Sequence, residues 1–109
     1  MAERRLEREI ENECVRIAEA AGVVSAKLDK AHRSYPDRCF FLPNGCAWIV
    51  EFKRPGERPR PQQTARLDLF AKLQYPVDVI DSVAEFRSTF AERLFDCRAW
   101  WRQPVEPSD

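Results

Sequence analysis

Apolar side chains recur at helical spacing through the first stretch of the chain, at Leu6, Ile10, Cys14, Ile17, Ala18 and Ala21. The stripe predicts an amphipathic helix over residues 3–21, with Gly22 as its C-cap. The pattern then changes period. Two short apolar runs, Cys39–Phe40–Phe41–Leu42 and Cys46–Ala47–Trp48–Ile49–Val50, flank Pro43–Asn44–Gly45. Asn-Gly between apolar runs is the strongest short-range hairpin signal, so strands are expected at roughly 37–42 and 46–53. Pro43 falls at the turn, where a missing N–H does little harm.

Helical spacing returns over residues 62–74, with Leu67, Phe70, Ala71 and Gln74 along one side, Leu73 beside them and Pro61 at the start. Val77–Asp78–Val79–Ile80 reads as a short strand next to the hairpin, with Val77 and Val79 on one face. Asp81 or Ser82 can cap a third helix over 83–96, Glu85 completing a capping box with Ser82. Its apolar face is Val83, Phe86, Phe90 and Leu94. Phe95, Trp100 and Trp101 either fold back on the core or form a subunit interface. The order of elements predicts an α/β fold in one domain, residues 1–102: a small mixed β-sheet with a central hairpin, flanked by helices. Residues 103–109 are expected to form a flexible tail.

A chain of 109 residues buries a modest core, which dimerisation would support. Lysines and arginines number 18, as do aspartates and glutamates, so global charge does not point to nucleic acid. Local charge does. Residues 53–66 carry Lys53, Arg54, Arg58, Arg60 and Arg66 against Glu57 alone. Phosphate contacts need such a localised patch, although a solvated proline-rich loop would carry the same residues. Cys14, Cys39, Cys46 and Cys97 show no Cys-x-x-Cys spacing, and His32 is the single histidine, so buried free thiols are expected and zinc is not. With no signal-peptide pattern and no long apolar span, the expected setting is the cytoplasm of a bacterium or of a phage-infected host, away from membranes.

The chemistry concentrates on the hairpin. Side chains alternate along a strand, so Glu51 and Lys53 share one face while Val50 and Phe52 take the other. Asp37 begins the partner strand at the same end as Glu51. Two carboxylates and one lysine can therefore converge. Hard oxygen donors suit Mg²⁺ or Mn²⁺, which lower the pKa of bound water and offset charge at a phosphate under attack. Lys53 could orient that water or neutralise the phosphate as a compact point charge. On an exposed strand the same Glu-x-Lys would simply be solvated charge. On the first helix, Glu7 and Glu11 lie four apart and flank Ile10, so either could face the site or pair with Arg4 or Arg8. Gln63, in the first turn of the second helix, can reach a metal-bound water. Lys30, His32 and Arg33 precede Asp37 and can contact a phosphate; His32 can also assist a bound water.

Pro36–Asp37 followed by Glu51–Phe52–Lys53 resembles the PD-(D/E)xK nuclease superfamily. Pro36–Asp37–Arg38, Leu42–Pro43–Asn44–Gly45, Glu51–Phe52–Lys53, Pro55–Gly56 and Pro61-x-Gln63 together resemble the VRR-NUC family, in its small stand-alone form found in phages and bacteria. Glu7-x-x-Ile10–Glu11, Gly22, Lys27 on an early strand, and Val77–Ile80 fit as well, so the resemblance covers about residues 5 to 86. It implies a restriction-endonuclease-like core. Asp37 and Glu51 would be metal ligands, Lys53 the catalytic lysine, and Gln63 an auxiliary group. The helix would add a further glutamate, Glu7 in preference to Glu11. Lys27, Lys30, His32, Arg33, Arg38, Arg54, Arg58 and Arg60 would contact DNA. Tyr35 departs from the pattern, since the family usually carries glycine before the Pro-Asp step.

The resemblance further implies a homodimeric Mg²⁺- or Mn²⁺-dependent DNA endonuclease acting on branched DNA such as four-way (Holliday) junctions. Two alternatives remain open: a nickase, flap or single-strand nuclease of the same fold, and a non-catalytic DNA-binding or dimerisation module. A complete set of Asp37, Glu51 and Lys53 argues against the module.

Overall fold

The structure, a computed structural model, describes residues 2–28 and 34–102, without the side chains of 2–5 and 98–102. The chain runs α1 (Ala2–Ala20), β1 (Val24–Lys27), β2 (Arg38–Leu42), β3 (Cys46–Phe52), α2 (Pro61–Lys72), β4 (Val77–Ile80) and α3 (Val83–Arg102). The strands form one mixed sheet in the order β1-β2-β3-β4. The first three pair antiparallel, and β4 pairs parallel to β3. A parallel neighbour needs a crossover, and α2 supplies it. The expected α/β architecture, a small mixed sheet with a central hairpin between helices, is the one observed.

The alternation read in the sequence assigns the two faces of the sheet. Phe40, Leu42, Trp48, Val50 and Phe52 pack with Ile10, Cys14 and Ala18 of α1 and with Phe86, Phe90 and Cys97 of α3. Trp48 sits at the centre of this layer, its ring centroid 5.4 Å from that of Phe86 and 6.0 Å from that of Phe90. Its indole N–H donates to Asp78 Oδ2 at 2.7 Å, and Arg93 Nε donates to the same oxygen at 2.8 Å. On the opposite face Cys39 and Ile49 meet Leu67 of α2, with Phe70, Val77 and Val79 around them.

The turns follow from local chemistry. Gly22, at φ +83°, ends α1 in a Schellman arrangement, with Gly22 N–H to Glu19 O at 2.9 Å and Val23 N–H to Ala18 O at 2.9 Å. Asn44 (φ 68°) and Gly45 (φ 74°) both take left-handed backbone between β2 and β3. Leu42 then pairs with Cys46 and fixes the register of the hairpin. Ser82 Oγ caps α3 by accepting the Glu85 N–H at 3.1 Å, and Glu85 Oε1 accepts the Asp81 N–H at 3.2 Å.

Three helical expectations are corrected. α3 continues to Arg102, beyond residue 96, because Cys97 is buried in the core and keeps the helix docked. α2 ends at Lys72, before residue 74, because Gln74 turns left-handed at φ 75°. The buried side of α2 is Gln63 and Leu67 with Phe70 half-buried, while Ala71, Leu73 and Gln74 are exposed. Phe95 is also exposed, and the expectations for the Trp100 and Trp101 side chains and for residues 103–109 lie outside the described residues. All four cysteines are free. Burial pushes the Cys14 thiol up to about 12, and burial with a neighbouring Cys46 thiol pushes Cys97 up to about 12. Among the described residues no helix is long and apolar enough to cross a membrane.

Candidate active site at the open end of the hairpin

The β2–β3 ladder stops at Arg38–Val50. Ile49 and Lys53 direct their N–H groups to β4, onto Pro76 O and Ile80 O at 2.9 Å each. Phe52, between them in phase, directs its N–H toward β2, where the strand has already ended. The Asp37 carboxylate takes the place of a ladder acceptor: Oδ2 accepts the Phe52 N–H at 2.7 Å. This charge-assisted bond holds the carboxylate at the end of β3. The register of the hairpin, carried one residue further, sets Asp37 opposite Glu51 on the face covered by α2.

Glu51 is 1 % exposed, Asp37 8 % and Lys53 9 %. Lys53 Nζ lies 3.2 Å from Glu51 Oε2 and 3.9 Å from Glu57 Oε1. Gln63, also buried, donates from Nε2 to Glu51 Oε2 at 3.0 Å. Its own Oε1 accepts the Arg60 N–H at 3.0 Å, which fixes the orientation of the amide. The first turn of α2 thus delivers one donor to the carboxylate at the end of β3. Pro61 at the start of α2 costs no hydrogen bond there and presets the turn.

Two carboxylates facing each other across neighbouring strands repel, the more so out of water. One lysine offsets part of that charge, and a divalent cation would offset the rest. The donor set fits Mg²⁺ or Mn²⁺: the donors are hard oxygens, with neither thiol nor imidazole among them. Among the described residues no group of three or more His, Cys, Asp or Glu side chains gathers as a metal cage. A pair of carboxylates leaves the remaining positions to water and phosphate oxygens, the usual manner of Mg²⁺.

Three of the side chains singled out from the sequence, Glu51, Lys53 and Gln63, therefore meet, and Asp37 stands opposite Glu51 on the neighbouring strand. Others lie elsewhere. Arg38 projects to the α1 side of the sheet, where its Nε donates to Glu11 Oε2 at 3.0 Å and its Nη1 to Ser25 Oγ at 2.9 Å. Glu11 is thus engaged on the face opposite Glu51. Glu7 lies one turn earlier in α1, about 6 Å along the axis; it is half-buried and does not gather with Asp37 and Glu51 into a group of three. Lys27 is exposed at the end of β1 and pairs with Arg38 in the sheet. Arg54 Nε donates to Glu57 Oε2 at 3.0 Å, while Arg58 and Arg60 are exposed on the segment leading to α2. Lys30, His32 and Arg33 lie outside the described residues.

The chain is 35% identical over 66 residues to "Putative nuclease p44" of Acyrthosiphon pisum secondary endosymbiont phage 1, a match spanning 61% of this chain and 71% of that protein. It also matches a solved structure described as "VRR_NUC domain", with a TM-score of 0.72 at 27% identity, over 79% of this chain and 95% of that one. The chain belongs to the VRR-NUC nuclease family. No family model matches it. In this VRR-NUC chain some residues at the site carry little signal in the sequence. Glu57 stands four after Lys53 and three after Arg54, a spacing that permits both ion pairs, yet in a loop spacing alone assigns no contact. Asp81 Oδ2 accepts the Gly56 N–H at 3.1 Å and ties the loop after Lys53 to the end of β4. Tyr35, before β2, meets Arg66 of α2, with the Arg66 guanidinium carbon 4.6 Å from the centre of the Tyr35 ring.

Proposed function

We propose that the protein is a Mg²⁺- or Mn²⁺-dependent DNA endonuclease that hydrolyses phosphodiester bonds, selects branched DNA such as four-way junctions, and works as a homodimer. The observation that carries the reading is the meeting of Lys53 and Gln63 on one oxygen of Glu51, on the face Asp37 shares. Asp37 and Glu51 would hold the cation, and Glu7, the helical acid that the family pattern favours, would join them. A divalent ion bound there supplies an acidified water and charge compensation at the phosphate. Lys53 would donate to a non-bridging phosphate oxygen or orient the attacking water. Gln63, whose Nε2 donates to Glu51 Oε2 at 3.0 Å, would steady that carboxylate. The cations of the 53–66 segment, Arg58 and Arg60 foremost, extend from Lys53 to α2 and would follow a DNA backbone, giving affinity without base reading. Two copies of such a site suit paired cuts across a symmetric junction.

Incubating the purified protein with labelled four-way junction, flap and linear duplex, each with Mg²⁺, Mn²⁺ or EDTA, tests this. Metal-dependent, symmetric cutting of the junction is expected. Cutting of flap or linear duplex instead would keep the nuclease and replace the substrate. Binding without cutting under every metal would favour a non-catalytic module.

A further inference from the structure

Tyr35 precedes Pro36 and Asp37, and it stands against α2. The Arg66 guanidinium lies over its ring at 4.6 Å, and the ring edge meets Phe70 at 6.2 Å between centroids, with an interplanar angle of 82°. Arg66 Nε also donates to Ser34 Oγ at 3.4 Å. Arg66 and Phe70 follow Gln63 at three and seven residues, so they share its helical face. Pro36 is fully buried, its ring fixes φ, and it confines Tyr35 to extended backbone. Little torsional freedom therefore remains between the Tyr35 ring and Asp37.

We infer that Tyr35 and Arg66 are positioning residues: a cation–π clamp that fastens the Asp37 segment to α2. The two catalytic carboxylates are then set by one helix. Gln63 holds Glu51 directly, and Arg66, one turn on, holds Asp37 through Tyr35 and Pro36. The clamp acts where β2 has ended: the Asp37 backbone is held on the β1 side, its carbonyl accepting the Leu28 N–H at 3.1 Å, and the clamp fastens the same segment on the side that faces α2. The inference rests on the metal-site reading for its catalytic meaning, but the positioning itself can be read without metal.

The test uses the full chain in two measurements. In metal-free protein, amide hydrogen exchange by NMR follows the Phe52 N–H, which the Asp37 carboxylate accepts. Tyr35→Ala and Arg66→Ala should each speed Phe52 exchange about tenfold relative to Ile49, whose acceptor is Pro76 O. The double variant should do little more than either single one, and Tyr35→Phe, which keeps the ring, should exchange more slowly than Tyr35→Ala. Calorimetric titration with Mn²⁺ should show both alanine variants binding about tenfold more weakly. Equal acceleration at Phe52 and Ile49 would mean general destabilisation and would overturn the clamp. So would unchanged Phe52 exchange with a raised KM for DNA in Arg66→Ala, which would make Arg66 a phosphate contact. If Phe52 responds while neither Asp37→Asn nor the clamp variants change Mn²⁺ affinity, the clamp stands as geometry and the metal-site reading falls.

Discussion

Gln63 Nε2 lies 3.0 Å from Glu51 Oε2, the carboxylate oxygen that Lys53 Nζ approaches at 3.2 Å. A neutral amide and an ammonium thus share one buried acceptor. A hydrogen bond to a charged group contributes about 1.5–3 kcal/mol, more than a neutral one. Gln63→Ala should therefore lower stability by about 1–3 kcal/mol in urea unfolding. It should lower single-turnover cleavage about 10- to 100-fold, because Glu51 is less firmly held. Gln63→Glu should be worse on both counts, since it sets a second carboxylate against the first.

Lys53 is nearly buried, with its Nζ 3.2 Å from Glu51 Oε2. Lys53→Ala should reduce cleavage by about 10²- to 10³-fold while junction binding in EDTA changes little. Lys53→Arg should not restore the rate, because a planar fork does not replace a point charge. Asp37→Asn and Glu51→Gln should each weaken Mn²⁺ binding in calorimetry. Wild-type affinity in both variants would rule out direct ligation.

The two acids of α1 should separate cleanly. Glu11 is held by Arg38 on the far face of the sheet, and both side chains are largely buried. Glu11→Gln should cost about 1–3 kcal/mol of stability with Mn²⁺ affinity unchanged. Glu7→Gln should do the reverse, and paired thermal melts and Mn²⁺ titrations read the difference.

Burial raises the Cys14 thiol to about 12, well above its ordinary value of 9.0. Below pH 9 the thiol is protonated in both folded and unfolded chains and stability does not depend on it. Above pH 9 the unfolded chain releases the proton first, so stability falls as pH rises from 9 toward 12. Urea midpoints should decline over that window, and Cys14→Ala should make the decline shallower at the cost of some packing, the remainder including the share of Cys97, which is raised alike. At pH 8 native Cys14 should resist iodoacetamide.

The hairpin and the face that its polar side chains share are legible because strand alternation is a strict period of two. Once Asn44–Gly45 marks the turn, the shared face of Asp37, Glu51 and Lys53 follows. Gln63 is legible by its nearness in sequence and by the family pattern. The partner of Arg38 is not, although the same alternation places Arg38 opposite the site: a DNA contact and a buried ion pair make the same demand for an arginine. The Tyr35–Arg66 contact is illegible for another reason. It joins a loop to a helix, and neither periodicity nor capping chemistry says which loop residue meets which helical turn. The ends of α2 and α3 escape pattern reading because a left-handed Gln74 and a buried Cys97 are decided by packing.

The left-handed backbone at Asn44 and Gly45 lies six residues from Glu51, roughly 20 Å along the strand. It nevertheless decides whether there is a site at all. A pairing slipped by one residue would swap the two faces of β3, burying Glu51 and Lys53 among the aromatic rings and turning Val50 and Phe52 toward Asp37. No partly active arrangement lies between those two. Errors of folding in this chain therefore divide molecules into competent and inert, and a preparation with low specific activity is better understood as a mixture than as a slow enzyme.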